Sequence, residues 1–249
     1  MSDILTTRDG DILVVTLNRP AKKNALTGDM YNGMSAALDQ AKDDHSIGTI
    51  VFEGSGGSFT AGNDLADFLQ SASDFTQSPA LNFIRRLAVC ETPIVAAVDG
   101  VAVGIGTTML FHCDLVYATP QAKFRMPFVD LGLVPEAGSS LLVPQRLGTV
   151  RATELLMLGE GFDAQAALGF GIINAIVPTE DLRGVAMDKA HRLAVRPRAA
   201  LRETRRLMRG DLAPLLARME DEAQAFGAAL QSKDAKAALS AFMDRNKRA

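Results

Sequence analysis

One carboxylate in this chain, Glu136, stands in a segment, GLVPEAGSS (132–140), that is otherwise apolar or small. A glutamate there is either a solvated first-turn residue favoured by the positive end of a helix, or a general base. In the second case its apolar neighbours Phe128, Val134, Pro135 and Ala137 would raise its proton affinity. Two glycine-flanked segments, FTAGNDL (59–65) and DGVAVGIGTT (99–108), follow strand-like runs and precede helix-like ones. Glycine permits unusual backbone angles there, and the N–H groups at a helix start are unpaired and point outward. One such N–H from each segment could together hold an enolate or oxyanion, an interaction of ~3 to 4 kcal/mol per donor. Each loop alone is also explained by tight packing. The second loop has no phosphate-cradling lysine and does not match the dinucleotide fingerprint, which argues against a nucleotide cofactor.

Other reactive residue types read as structural. His112 in FHCD lacks further ligands at metal-binding spacing, so a satisfied core histidine is expected and no metal site. Ser139 and Ser140 have no histidine partner at a recognisable spacing, and helix-start hydrogen bonds or packing account for them. Asp64 is expected to cap the helix that follows it. Cys90 and Cys113 are two isolated thiols in 249 residues, with no disulfide framework, which fits a reducing compartment.

The elements that must position these groups alternate. ILVVTLNRP (12–20) and TIVFEG (49–54) read as strands, and between them Thr27 offers an N-cap for a helix with Met30, Met34, Leu38 and Ala41 on one stripe. Helical stretches at 65–69 and 81–89 lead to PIVAAVDG (93–100), a continuous apolar run suited to a strand buried on both faces. VAVGIGTTMLFHC reads as a turn into a helix, DLVYAT as another strand, and GIINAIVP closes the pattern. From about residue 179 the chain reads as helix to its end, interrupted at Arg196-Pro197 and Gly210. We therefore expect an α/β core over residues 1–195 and a helical region over 196–249.

Bulk properties exclude several classes of function. The formal charge is −3, so no polyanionic partner and no nucleic acid is expected. The charge is unevenly spread: from His191 onward there are 13 basic and seven acidic side chains, net +6, against −9 before it. That basic end is a solvated helical face or helps hold a phosphorylated ligand. No apolar run approaches the roughly 20 residues of a membrane span, and the first residues carry no basic segment leading into an apolar one. A cytoplasmic protein is expected.

Taken in order, SFTAGNDL, TPIVAAVDGVAVGIG and CDLVYATPQAKFRMPFVDLGLVPEAGSS closely resemble the crotonase superfamily of enoyl-CoA hydratases and isomerases. The resemblance runs from LNRPAKKNAL near the start to ALSAFMDRNKR at the end. It implies a crotonase-like spiral of ββα units with a C-terminal helical trimerisation region, hence a homotrimer or hexamer. It also implies an acyl-CoA thioester as ligand, with coenzyme A present only as part of the substrate. The oxyanion donors it implies are the main-chain N–H groups of Asn63 and Ile105.

An acyl-CoA site is implied over Ala61, Gly62, Asp64, Leu65 and Phe68 in the first loop, together with Leu69. Gly104, Phe128 and Pro135 complete it, and Lys22 and Ala25 lie along the pantetheine and phosphates. Lys22 and Lys23 are equally well read as solvated, and Lys247 and Arg248 are either free terminal charges or reach the CoA phosphate of a neighbouring subunit. Family hydratases place two glutamates at positions held here by Thr108 and Phe128, neither of which is a carboxylate. The acidic residue stands eight positions later, at Glu136, as in the Δ3,Δ2-enoyl-CoA isomerase branch. The resemblance thus implies a 3-enoyl-CoA to 2-enoyl-CoA isomerase with Glu136 as its single acid/base. The alternatives are a hydratase in which Asp130 assists Glu136, a dehalogenase with its carboxylate at this position, and a non-catalytic acyl-CoA-binding homologue.

Overall fold

The computed structural model describes residues 2–70 and 75–248, and for 68–70 and 245–248 the backbone alone. The side chains of Phe68, Leu69, Lys247 and Arg248, assigned above to the acyl pocket and the CoA phosphate, lie outside the described residues. The strands are β1 (Ile4–Asp9), β2 (Ile12–Leu17), β3 (Thr49–Gly54), β4 (Ile94–Val98), β5 (Val101–Val103), β6 (Leu115–Ala118), β7 (Lys123–Arg125), β8 (Phe162–Asp163) and β9 (Ala175–Ile176). One sheet has the order β1-β2-β3-β4-β6-β9, antiparallel only at the β1–β2 hairpin, and a small second sheet has the order β5-β7-β8. Helices α1 (Gly28–Asp43), α2 (Leu65–Gln70), α3 (Pro79–Val89) and α4 (Ile105–Thr108) belong to the first half. They are followed by α5 (Ser139–Leu147), α6 (Thr149–Leu156), α7 (Ala164–Gly169), α8 (Leu182–Ala194), α9 (Arg198–Arg209), α10 (Ala213–Gln231) and α11 (Lys233–Arg248).

The central strands are apolar throughout because both faces are covered. Leu13, Val15, Ile50, Phe52 and Ala96 point to the side where α1 and α3 pack together. Ile12, Val14, Val51, Val95 and Ala97 point to the other side, where Ala186, Ala190 and Ala194 of α8 lie on them. Alanine at every fourth position lets that helix approach the sheet closely. Helix α1 starts where expected, with Thr27 Oγ1 accepting from Met30 N, and Ser78 caps α3 ahead of Pro79.

The α/β core and the C-terminal helices expected of the crotonase-like fold are both present. The structure adds elements that the sequence did not announce. The first is β1, whose side chains are exposed beyond Ile4. The segment after Gly100 is a three-residue strand before it is a helix, because Val101 and Val103 pair in parallel with Lys123 and Arg125. The terminal helices break a third time at Ser232, whose Oγ accepts from Ala235 N and so starts a new helix.

The loop leaving the carboxyl end of β3 is locked by one buried side chain. Asn24, with a left-handed φ of 54°, donates Nδ2 to the carbonyls of Ser55, Ser58 and Phe59 at 2.9, 2.7 and 3.2 Å. Its Oδ1 accepts from Arg19 N at 2.8 Å. Removing it strands buried acceptors beside the segment that carries Asn63. We expect Asn24→Ala to lower unfolding stability by about 3 kcal/mol. Urea denaturation checks this, and a loss under about 1 kcal/mol would show that water replaces the amide.

Candidate active site

Residues 60–64 run beside two neighbours at once. Thr60 pairs with Ala102, through Thr60 N to Val101 O and Val103 N to Thr60 O. On the other edge Leu26 N donates to Gly62 O and Asp64 N donates to Leu26 O. In such a parallel bridge the N–H of the residue between, Asn63, faces away from the Leu26 strand. Among the described residues it donates to no protein acceptor, and neither does the N–H of Ile105 at the first position of α4. Both amides belong to residues that line one cavity of about 820 Å³.

Glycine makes their approach possible. A Cβ on Gly62, which has φ +88°, would sit 2.8 Å from the Val103 carbonyl oxygen, and Gly104 has φ +55° and ψ −120° directly before Ile105. The Asn63 side chain is also held, its Oδ1 accepting from the buried Tyr31 hydroxyl.

Glu136 lines the same cavity and is only 7% exposed. Its Oε1 accepts from Thr108 Oγ1 at 2.5 Å, while Oε2 has no partner among the described residues. Burial pushes its carboxyl up to about 8 from an ordinary 4.5; the Thr108 hydrogen bond opposes that and the nearby Glu222 charge adds to it. The turn beneath it is strained, with left-handed φ of 57° at Ala137 and 69° at Gly138. Ser139 N and Oγ both donate to the Glu136 carbonyl, at 3.0 and 2.6 Å. His112 Nε2 lies 2.7 Å from the Ala137 carbonyl. Burial pushes that imidazole down to about 4, so it is neutral and donates through Nε2–H.

The cavity wall brings together Glu136, Asn63, Ile105, Ala61, Gly62, Leu65, Gly104 and Phe128 from the residues singled out in the sequence. Lysine 23, rather than Lys22, stands on it, and Ala25, Asp64 and Pro135 are not among its lining residues. Asp64 instead accepts at Oδ1 from Ala66 N and Asp67 N at the start of α2 and at Oδ2 from Arg19 at 2.6 Å. Ala25 serves the same arginine, its carbonyl accepting from Arg19 Nη1. Asp130 lines the mouth of the cavity but is engaged with Arg125 at 2.7 Å. Sequence reasoning passed over Tyr31, which holds the Asn63 side chain, and Phe226 and Phe242 of the terminal helices, which line the cavity. No group of three or more His, Cys, Asp or Glu side chains among the described residues could hold a metal, and no described helix is long and apolar enough to cross a membrane.

Residues 7–249 match the model of the enoyl-CoA hydratase/isomerase family. The rat enoyl-CoA delta isomerase 2 is 32% identical over 97% of this chain, which spans only 63% of that relative's length. A short-chain-enoyl-CoA hydratase of Clostridium acetobutylicum is 27% identical over 99% of this chain and 97% of its own. An enoyl-CoA hydratase/isomerase crystal structure from Pseudoalteromonas atlantica superposes with a TM-score of 0.93 at 35% identity, covering 98% of each chain.

A carboxyl that titrates higher folded than unfolded binds more protons in the folded state between the two values. Stability is therefore lost as pH climbs from about 4.5 to about 8, and the deficit vanishes below that window. Glu136→Gln has no such deficit. The variant should gain on the parent by roughly 4 kcal/mol as pH rises across the window. Urea unfolding of both proteins at the two ends of the window measures it, and an unchanged difference would mean the carboxylate is solvated.

Proposed function

The chain belongs to the enoyl-CoA hydratase/isomerase family, and within it we propose an isomerase that moves the double bond of a 3-enoyl-CoA to the 2 position. The observation that carries this reading is one buried, high-titrating carboxylate, Glu136, sharing a cavity with two unpaired main-chain N–H groups. A 3-enoyl thioester has an acidic α-proton, since its removal gives a dienolate spread over the thioester oxygen and the alkene. Asn63 and Ile105 N–H would hold the oxygen's developing charge while Glu136 takes the α-proton. The same carboxyl then returns that proton to the γ-carbon, and the electron pair shifts so that the double bond lies between the α- and β-carbons. Substrate and product differ only in the place of one proton and one double bond, so no water is consumed. Thr108 donates a hydrogen bond to the base and Phe128 supplies an apolar wall, so neither activates water. Asp130, the other carboxylate among the described lining residues, is paired with Arg125.

Incubation in deuterated water separates the readings. The parent should convert 3-enoyl-CoA to 2-enoyl-CoA, with deuterium entering to the extent that the proton on Glu136 exchanges with solvent before its return, and Glu136→Gln should lose at least about a thousandfold in kcat. Formation of 3-hydroxyacyl-CoA from 2-enoyl-CoA at a comparable rate would instead identify a hydratase, and binding of acyl-CoA without exchange a non-catalytic homologue.

Because the base must start ionised, kcat/KM should rise about tenfold per pH unit and level near 8. Thr108→Val removes the hydrogen bond that supports the ionised form, so its limb should move upward by about one unit. A limb that stays in place in this variant would exclude Thr108 from the tuning of the base.

A further inference from the structure

Helix α10 buries Met219, Glu222, Ala223, Phe226 and Leu230 on one face, and Glu222 is the sole charged group among them. Each of its oxygens is used on the turn beyond the base. Oε2 accepts from Gly138 N at 2.6 Å and Oε1 from Ser140 N at 2.8 Å. These amides flank the start of α5, and the turn they close contains the two consecutive left-handed residues Ala137 and Gly138. Alanine is disfavoured in that conformation by roughly 1 to 2 kcal/mol, so the turn persists only where its surroundings hold it.

We infer that Glu222 is a positioning residue for Glu136: it grips the strained turn that carries the base, and it sets a second negative charge behind that base. The inference rests on Glu136 being the base.

The groups facing Glu136 from the elements packed around it leave Glu222 as its electrostatic neighbour. From α4, Thr108 donates a neutral hydrogen bond. From α1, Tyr31 is kept protonated by burial and by the Glu136 charge. From the turn at Met109–His112, His112 is neutral and turned to the Ala137 carbonyl. From α10 itself, Arg218 lies beside Glu222 and reaches Ser140 Oγ at 3.4 Å. Among the described residues no cation pairs with Glu136. Phe226, one turn beyond Glu222 on the same face, lines the cavity. A single rigid helix therefore touches both the ligand space and the turn that carries the base.

The test compares the parent, Glu222→Gln and Glu222→Asp. Gln removes the charge while keeping the length; Asp keeps the charge and shortens the reach. Their kcat/KM is followed with 3-enoyl-CoA against pH, together with the side-chain carboxyl 13C resonance that disappears in Glu136→Gln. Both variants should lower plateau kcat about tenfold or more, since both loosen the turn. Only Glu222→Gln should also move the activity limb and the Glu136 resonance downward, by about one pH unit. Equal movement in both variants, or movement in neither, overturns the inference. If Glu136→Gln retains full activity, the reading of the base fails instead, and the resonance still reports whether Glu222 acts on Glu136.

Discussion

A carboxyl group buried without a counter-cation is the constraint around which this structure is arranged. Glu136 is only 7% exposed, and the described residues offer it one hydroxyl and a neighbouring carboxylate where an arginine or lysine would have neutralised it. Such a group survives at neutral pH by holding its proton, and the same penalty makes the ionised form a stronger base. Its main chain is correspondingly over-determined. Ser139 holds the carbonyl before the strained residues, His112 the carbonyl between them, and Glu222 the amides of Gly138 and Ser140. Hydrogen bonds to the backbone of 136–140 supply the rigidity that the side chain itself lacks.

The donor amides depend on a different kind of constraint, close approach of backbone to backbone. Residues 60–64 are stitched to Leu26 on one edge and to the strand Val101–Val103 on the other, so Asn63 and Ile105 are carried by segments that share hydrogen bonds. Asn24 ties the start of that assembly to the loop leaving β3, and Gly62 removes the side chain that would keep the two segments apart. The pair of amides facing the cavity is thus a property of the loops at the carboxyl ends of β3 and β4, where ligands of parallel sheets are commonly held. Helix α10 belongs to the C-terminal helices, yet through Glu222 and Phe226 it takes part in both the turn and the cavity.

What was legible in the sequence follows from which patterns are local. Strands buried on both faces announced themselves as unbroken apolar runs, α1 by its cap and apolar spacing, and α3 as a helical stretch whose Ser78 cap went unread. The glycines at 62 and 104 marked the loops, and an acidic residue amid small and apolar ones marked Glu136. Elements of two or three residues did not show, because β5 and β7 exist only through each other's hydrogen bonds. The same holds for side chains that act across the fold. Nothing near Tyr31 predicts that its hydroxyl meets Asn63 across 32 positions, nor anything near Glu222 that its carboxylate closes a turn 84 positions earlier. Lys22 and Lys23 are adjacent in sequence but differ in placement because the short turn Pro20–Lys22 ends there and the chain enters a left-handed conformation at Lys23.

The lack of a second carboxylate beside Glu136 has a physical logic in this particular site. Glu136 already lies near the Glu222 charge, and its Oε1 is 2.5 Å from Thr108 Oγ1. A carboxylate in place of that hydroxyl would bring a third acidic group beside a carboxyl that no described cation pairs with, and like charges at such separations force one partner to keep its proton. The hydroxyl instead donates, lowering the proton affinity of the base without adding charge. An arrangement with one unpaired carboxyl fits the proposed isomerisation, whose only net change is the place of one hydrogen. Activation of water would need a further acceptor, and the other carboxylate among the described lining residues, Asp130, is already committed to Arg125.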